Sequence, residues 1–343
     1  LVVDQESLLL LPFSELETSW GCWGESESLV KNVQLRKLFL IGLREKVIFL
    51  IMFNSCLICT DFNDGLHRLV KFVPDLALSG LRRIIFFHSV PLWEEGEVPR
   101  IDEEKIQAAK QRLSQALEQV PEGVEVKIEV LSGKPLETIP RILQANSIDV
   151  IITGTPIRSL LQEKFFGSTS VGLAKQTAQP LMIIRPQLIS TYTEEELSLR
   201  CQHLWRYLLI PYNDSPSAHY LLEQIKHYAQ NRPENSCQKC LLIWVIDDIT
   251  RQGMLAKYRV EEAQQKLKTV KAQLEELGIE VHTEVKTGNP LQQILETALV
   301  FDISALAVAT DYRNTLLQWT IPSFANDLLR RSWFPVLLFS PKN

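Results

Sequence analysis

VEVKIEVLSGKPLETIPRILQANSIDVIITGT, beginning at Val124, and IEVHTEVKTGNPLQQILETALVFDISALAVAT, beginning at Ile279, lie one over the other without a gap. The offset is 155 residues, 279 minus 124, and it carries Gly133 onto Gly288, Pro135 onto Pro290, Arg158 onto Arg313 and Pro186 onto Pro341. A match of this length marks two copies of one unit. Upstream, CLICTDFNDGLHRLV from Cys56 matches LLIPYNDSPSAHYLL from Leu208, and the strand IIFFHSV matches LLIWVI.

Each copy reads as strand, helix, strand, long helix, strand, helix, strand, helix, strand. The long helix keeps one apolar face through Ile106, Ala109, Leu113, Ala116, Leu117 and Val120 in the first copy, and through Ala263, Leu267, Val270, Leu274 and Leu277 in the second. Pro135 and Pro290 fall where the first turn of a helix accepts proline. DVIIT and PLMIIRP are apolar without alternation, as parallel strands covered on both faces must be. The pattern predicts an α/β fold of two tandem doubly wound units, each a five-stranded parallel sheet with helices on both faces. The units are placed at residues 52–186 and 204–343, with the EEEL-containing segment 187–203 as linker. PLMIIRP and PVLLFSP are matching edge strands, expected to pair inside one chain as an intramolecular pseudo-dimer, with further homo-oligomers left open.

Composition limits the function. The chain has 343 residues and a net charge of -5, with a pI near 5.8, so it offers no basic footprint for nucleic acid. Six cysteines are too sparse for a stapled secreted scaffold, and a reducing cytoplasm fits them. Cys56 and Cys59 lie in a strand-like run, where residues three apart face opposite sides and cannot share a metal. The pair Cys237 and Cys240 is too distant in sequence to complete a zinc ribbon with them, and no histidine spacing resembles HExxH. The longest uncharged run extends only from Val47 to Thr60, short of the roughly 20 residues a membrane span needs. The N-terminus lacks the positive region of a secretory signal. No nucleic acid, membrane or metal partner is expected.

The stretch TGTPIRSLLQEKFFGSTS, residues 153–170, follows a buried-strand run and ends in Gly167-Ser168-Thr169-Ser170. Small residues with hydroxyls and unobstructed N–H groups opening a helix suit a phosphate, although they also suit an ordinary turn and N-cap.

On these residues the sequence resembles the universal stress protein family in a tandem form, over about residues 52–343. The family's nucleotide-binding members carry an Asp after the first strand, then G, two residues, G, nine residues, G and Ser or Thr. Asp61 takes the Asp position, Gly154 the first glycine, and Gly167 with Ser168 the closing pair; Ile157 stands where the middle glycine belongs. The resemblance implies an adenine nucleotide alpha hydrolase-like fold that binds ATP, with or without Mg2+. Asp61 would hold the adenine and ribose side, Gly154 would let the backbone approach the ribose, and Gly167, Ser168 and Thr169 would face the phosphates. Arg158 falls where the family often has arginine. Asp61 could equally be a turn carboxylate in TDFND, and Arg158 a solvated loop charge. His88 reads as a core or strand-end histidine.

In the second copy Asn213, Ala309, Tyr312 and Pro322 replace the Asp and three glycines, and only Ser323 remains. That copy is expected to be structural. The expected function is a cytoplasmic ATP-binding module of the stress response acting through an unknown protein partner; slow ATP hydrolysis and a nucleotide-free scaffold are the alternatives. Residues 1–51 belong to neither copy and are expected to be an extension without a fold of its own, since Met52 precedes Asp61 by the distance typical of the family's initiator.

Overall fold

The computed structural model describes residues 52–93, 100–155, 168–230, 236–247, 253–310 and 324–341. The first repeat runs β1 (Ser55–Cys59), a 3-10 turn (Leu66–Phe72), α1 (Val73–Leu78), β2 (Arg83–Val90), α2 (Glu103–Leu113), β3 (Glu125–Ser132), α3 (Pro135–Ala145), β4 (Val150–Gly154), α4 (Ser168–Gln176) and β5 (Leu181–Ile184). Two junction helices follow, α5 (Pro186–Thr191) and α6 (Glu194–Gln202). The second repeat runs β6 (Tyr207–Pro211), α7 (Pro216–Ala229), β7 (Lys239–Ile246), α8 (Gly253–Glu275), β8 (Glu280–Thr287), α9 (Pro290–Val300), β9 (Ala305–Ala309), α10 (Phe324–Arg331) and β10 (Val336–Phe339).

Within each repeat all strand pairs are parallel, and the ten strands form one sheet in the order β3-β2-β1-β4-β5-β10-β9-β6-β7-β8. The halves meet at an antiparallel seam of β5 and β10, with Ile183 opposite Val336, Met182 opposite Leu337 and Leu181 opposite Leu338. Met182 and Leu337 are equivalent positions of the two repeats, so the internal twofold passes between them. The seam uses edge groups that either half alone would leave open.

The strands alternate between two cores. Cys56 and Ile58 pack with α1, α2, α6, α7 and α8 on one face. Leu57 and Cys59 pack with α3, α4, α9 and α10 on the other. Cys56 and Cys59 therefore point to opposite sides of the sheet, whereas the Sγ atoms of buried Cys237 and Cys240 lie 3.8 Å apart.

Proline marks the helix starts at both Pro135 and Pro290. Pro74 has the same effect between the 3-10 turn and α1: without an N–H it cannot continue a helix, and α1 begins one residue before it. The long-helix reading needs one correction. The α-helix stops at Leu113 and tightens into a 3-10 turn, Ser114–Leu117. Ile106, Ala109, Leu113 and Ala116 remain buried, but the change of pitch leaves Leu117 and Val120 exposed.

Segment 187–203 is folded and packed. Thr193 and Glu196 form a reciprocal capping box at the start of α6, so the acidic run lies in a first turn where negative charge is favoured. Ser198 Oγ and Gln202 Nε2 each donate to Asp75 Oδ1 at 2.8 Å, tying α6 to α1. Arg68 donates to the carbonyls of Ile189 and Tyr192. Fully buried Trp205 donates from Nε1 to Ser79 O at 2.9 Å and meets Phe53 edge-on. Among the described residues no helix is long and apolar enough to cross a membrane.

Candidate functional site

In an open parallel sheet the first and fourth strands diverge to opposite directions of winding, and their carboxyl ends leave a crevice. Here β1 and β4 are neighbours, and a cleft of about 120 Å3 opens beyond them. Asp61, Gly154 and Thr169 all line it, with Thr60, Asp64 and Ser89 beside them. Its walls carry many hydroxyls, and α4 opens at Ser168, presenting the N–H groups of a helix first turn. Arg158, Gly167 and Ile157 lie outside the described residues, as does the side chain of Ser168.

The loop after β1 is a closed hydrogen-bond circuit. Asp61 Oδ1 accepts from Asn63 N at 2.8 Å and from Asp64 N at 2.9 Å. Asp64 Oδ2 accepts from Asp61 N at 3.1 Å, while its Oδ1 accepts from Thr60 Oγ1 at 2.7 Å and Leu66 N at 2.9 Å. One oxygen of Asp61 thus holds the turn; Oδ2 takes no hydrogen bond from the described residues, and the side chain is exposed. Phe62 sits at a φ of 65°, uncommon for a large side chain. Its amide donates to Thr60 Oγ1, and its ring lies 4.3 Å from both the His88 ring and the Arg112 guanidinium carbon. His88 Nδ1 is 2.8 Å from Thr60 O, which places this half-buried histidine at the strand end as a loop anchor. Burial holds its pKa below the ordinary range.

Asp64 is the residue that motif reading passed over. It is only 7% exposed, and burial pushes its carboxyl up to about 6, assisted by the Asp61 charge and opposed by the Thr60 hydrogen bond. It also explains Gly154. A Cβ at Gly154 would lie 2.7 Å from Asp64 Cβ, so the glycine makes room for a neighbouring side chain of its own fold. The signal was present in TDFND as a second carboxylate three residues after the first.

The second repeat places a pocket of about 370 Å3 at the equivalent strand ends, lined by Asn213 and Ala309 among others. Tyr312, Arg313, Pro322 and Ser323 lie outside the described residues. Among the described residues no group of three or more His, Cys, Asp or Glu side chains is placed to hold a metal ion.

A duplicated, mostly parallel sheet with helices on both faces and a hydroxyl-rich crevice at its first switch point defines a tandem doubly wound α/β protein. The chain belongs to the Universal stress protein family, which it matches over residues 52–185 and 205–340. The Universal stress protein MJ0531 of Methanocaldococcus jannaschii is 27% identical over 145 residues, covering 40% of this chain and 83% of that protein. A universal stress protein structure from Archaeoglobus fulgidus superposes with a TM-score of 0.59 at 18% identity, over 84% of this chain and 98% of that one, and shares the fold. A universal stress protein solved in complex with cAMP aligns with a TM-score of 0.33 at 15% identity, over 39% of this chain and 97% of its own.

Proposed function

We propose that this chain is an ATP-binding module whose nucleotide enters the first-repeat cleft and whose output is a change in how the two repeats engage a protein partner during stress. The observation that carries the reading is the convergence of Asp61, Gly154 and the first turn of α4 beyond β1 and β4. Thr169 and the free N–H groups of that turn suit phosphate oxygens by hydrogen bonding and by the positive end of the helix. The Oδ2 atom of Asp61 suits a ribose hydroxyl. Gly167 and Ser168 extend the donor set on the resemblance of their spacing, with Arg158 adding charge. Mg2+ would arrive with the nucleotide, whose phosphates supply most of its ligands. Five buried free thiols fit a reducing cytoplasm.

A nucleotide-free scaffold is the second reading. It is favoured by the cleft volume of about 120 Å3, below the range typical of ligand sites, and by Ile157 at a family glycine. Slow hydrolysis has less support, because the hydroxyl that meets a carboxylate in the cleft, Thr60 on Asp64 at 2.7 Å, is bound into the β1 loop by Phe62 N and Leu66 N. The test is chromatography of nucleotide released by denaturing freshly purified protein, followed by phosphate release over hours. Co-purified ATP that stays intact supports the module. Stoichiometric phosphate release makes it an enzyme. Absence of nucleotide, with no binding of added ATP, leaves the scaffold.

A further inference from the structure

The second repeat keeps the position of the cleft and reverses its chemistry. Counted by the repeat offset, Val308 stands for Thr153, Ala309 for Gly154 and Phe324 for Thr169, and in the matching strand Val245 stands for Ser89. All four line the pocket of about 370 Å3. Every hydroxyl of the first cleft at these positions has become hydrocarbon. Ile243 replaces the larger Phe87 on the wall, and Pro216 opens α7 where the first repeat buries the Asp64 carboxylate. The pocket is roughly three times the volume of its counterpart, although most of these exchanges enlarge the side chain.

We infer that this pocket binds an uncharged, largely apolar small molecule of aromatic size. The volume lies within the usual range for ligand sites, and the walls are apolar with a few polar groups at one end, the common composition of such sites. That polar end is Asn213, Ser215 and Ser217. No lysine, arginine or histidine among the described residues lines the pocket, so these walls offer hydrocarbon rather than a counter-charge to a phosphate or carboxylate. The nearby Asp214 carboxylate is already taken: Tyr212 and His219 meet Oδ1, and Lys266 Nζ lies 2.7 Å from Oδ2. An apolar occupant instead removes exposed hydrocarbon from water. The two repeats thus hold chemically opposite sites at symmetric positions, and the inference stands whether or not the first binds ATP.

The test uses the full chain and the neutral fluorophore N-phenyl-1-naphthylamine. The expected result is saturable blue-shifted fluorescence with one site per chain, unchanged by saturating MgATP. Phe324→Asp, at a position 40% exposed and in a helix first turn that tolerates a carboxylate, is expected to weaken the probe at least about tenfold. Val245→Asn is expected to weaken it too, and Thr169→Asp to leave it unchanged. Melting curves identify any variant that fails to fold, and the other then decides. Absence of saturable binding, displacement by ATP, or full retention in the folded pocket variants would overturn the inference.

Discussion

Replacing Gly154 with alanine tests the packing that builds the first cleft. The new Cβ would sit 2.7 Å from Asp64 Cβ and 3.4 Å from its Cγ and Oδ2. Ordinary carbon contacts lie near 3.5–4.0 Å, so about 0.8 Å of overlap must be relieved. Asp64 cannot yield by a rotamer change, because the clash is at its Cβ and its carboxylate is held by Thr60, Leu66 N and Asp61 N. The backbone must move, at a cost of about 1–3 kcal/mol for overpacking and about 1 kcal/mol for each hydrogen bond loosened. A total of about 3 kcal/mol corresponds to a fall in Tm of roughly 5 °C for a body of this size, at ~2.1 cal/mol/K of unfolding entropy per residue. Gly172→Ala is the matched control. Its Cβ would approach Leu136 Cδ2 and Cδ1 at 2.5 and 2.6 Å, nominally closer, but those are terminal methyls of a half-buried side chain that can swing away. Alanine also gains about 1 kcal/mol over glycine in a helix, so this change should be near neutral. Calorimetric melting of both variants is the assay, with amide exchange of residues 60–66 as a local readout. A Gly154→Ala protein as stable as wild type, or one less affected than Gly172→Ala, would refute the reasoning.

Asp64 makes stability pH-dependent: its folded pKa of about 6 lies above the roughly 3.9 of an unfolded aspartate, so its contribution is full below the lower value and is lost as pH rises through the upper one. The difference in urea stability between wild type and Asp64→Asn should therefore shift against wild type by about 2 kcal/mol between pH 4 and 7, most of a two-unit pKa difference; a flat difference would contradict the assignment. Burial of Cys56, Cys59, Cys201, Cys237 and Cys240, with the first three thiols pushed well above the ordinary range by desolvation, predicts that Ellman's reagent reaches these five only after unfolding. Rapid labelling of any of them in the native protein, read by peptide mapping, would show that the core opens. Separately expressed halves should self-associate through the bared β5 or β10 edge, and sedimentation of either as a stable monomer would count against the seam as a stabilising element.

The repeat architecture was legible because an uninterrupted offset preserves three-dimensional equivalence, down to the pairing of Met182 with Leu337 across the internal twofold. The glycine motif pointed to a crevice that Gly154 and Thr169 do line together. Other features depended on tertiary facts that spacing does not encode. Asp61 and Asp64 are two carboxylates of one short loop, and which one is buried depends on the strand end at Gly154, far away in sequence. Leu117 and Val120 continue an apolar period, yet the helix tightens before reaching them. Counting lost motif residues in the second repeat records which glycines and which carboxylate are replaced. It does not reveal that Val245, Val308 and Phe324, which belong to no motif, meet around one pocket.

Calorimetric titration of MgATP into the full chain, alongside Thr169→Asp and Phe324→Asp, tests the central assignment most directly. A carboxylate at Thr169 would face the phosphates in the first cleft, whereas the same change at the equivalent Phe324 lies in the second repeat. The account predicts one ATP per chain, binding lost in Thr169→Asp and retained in Phe324→Asp. Two nucleotides per chain, loss in Phe324→Asp, or retention in a folded Thr169→Asp protein would contradict it.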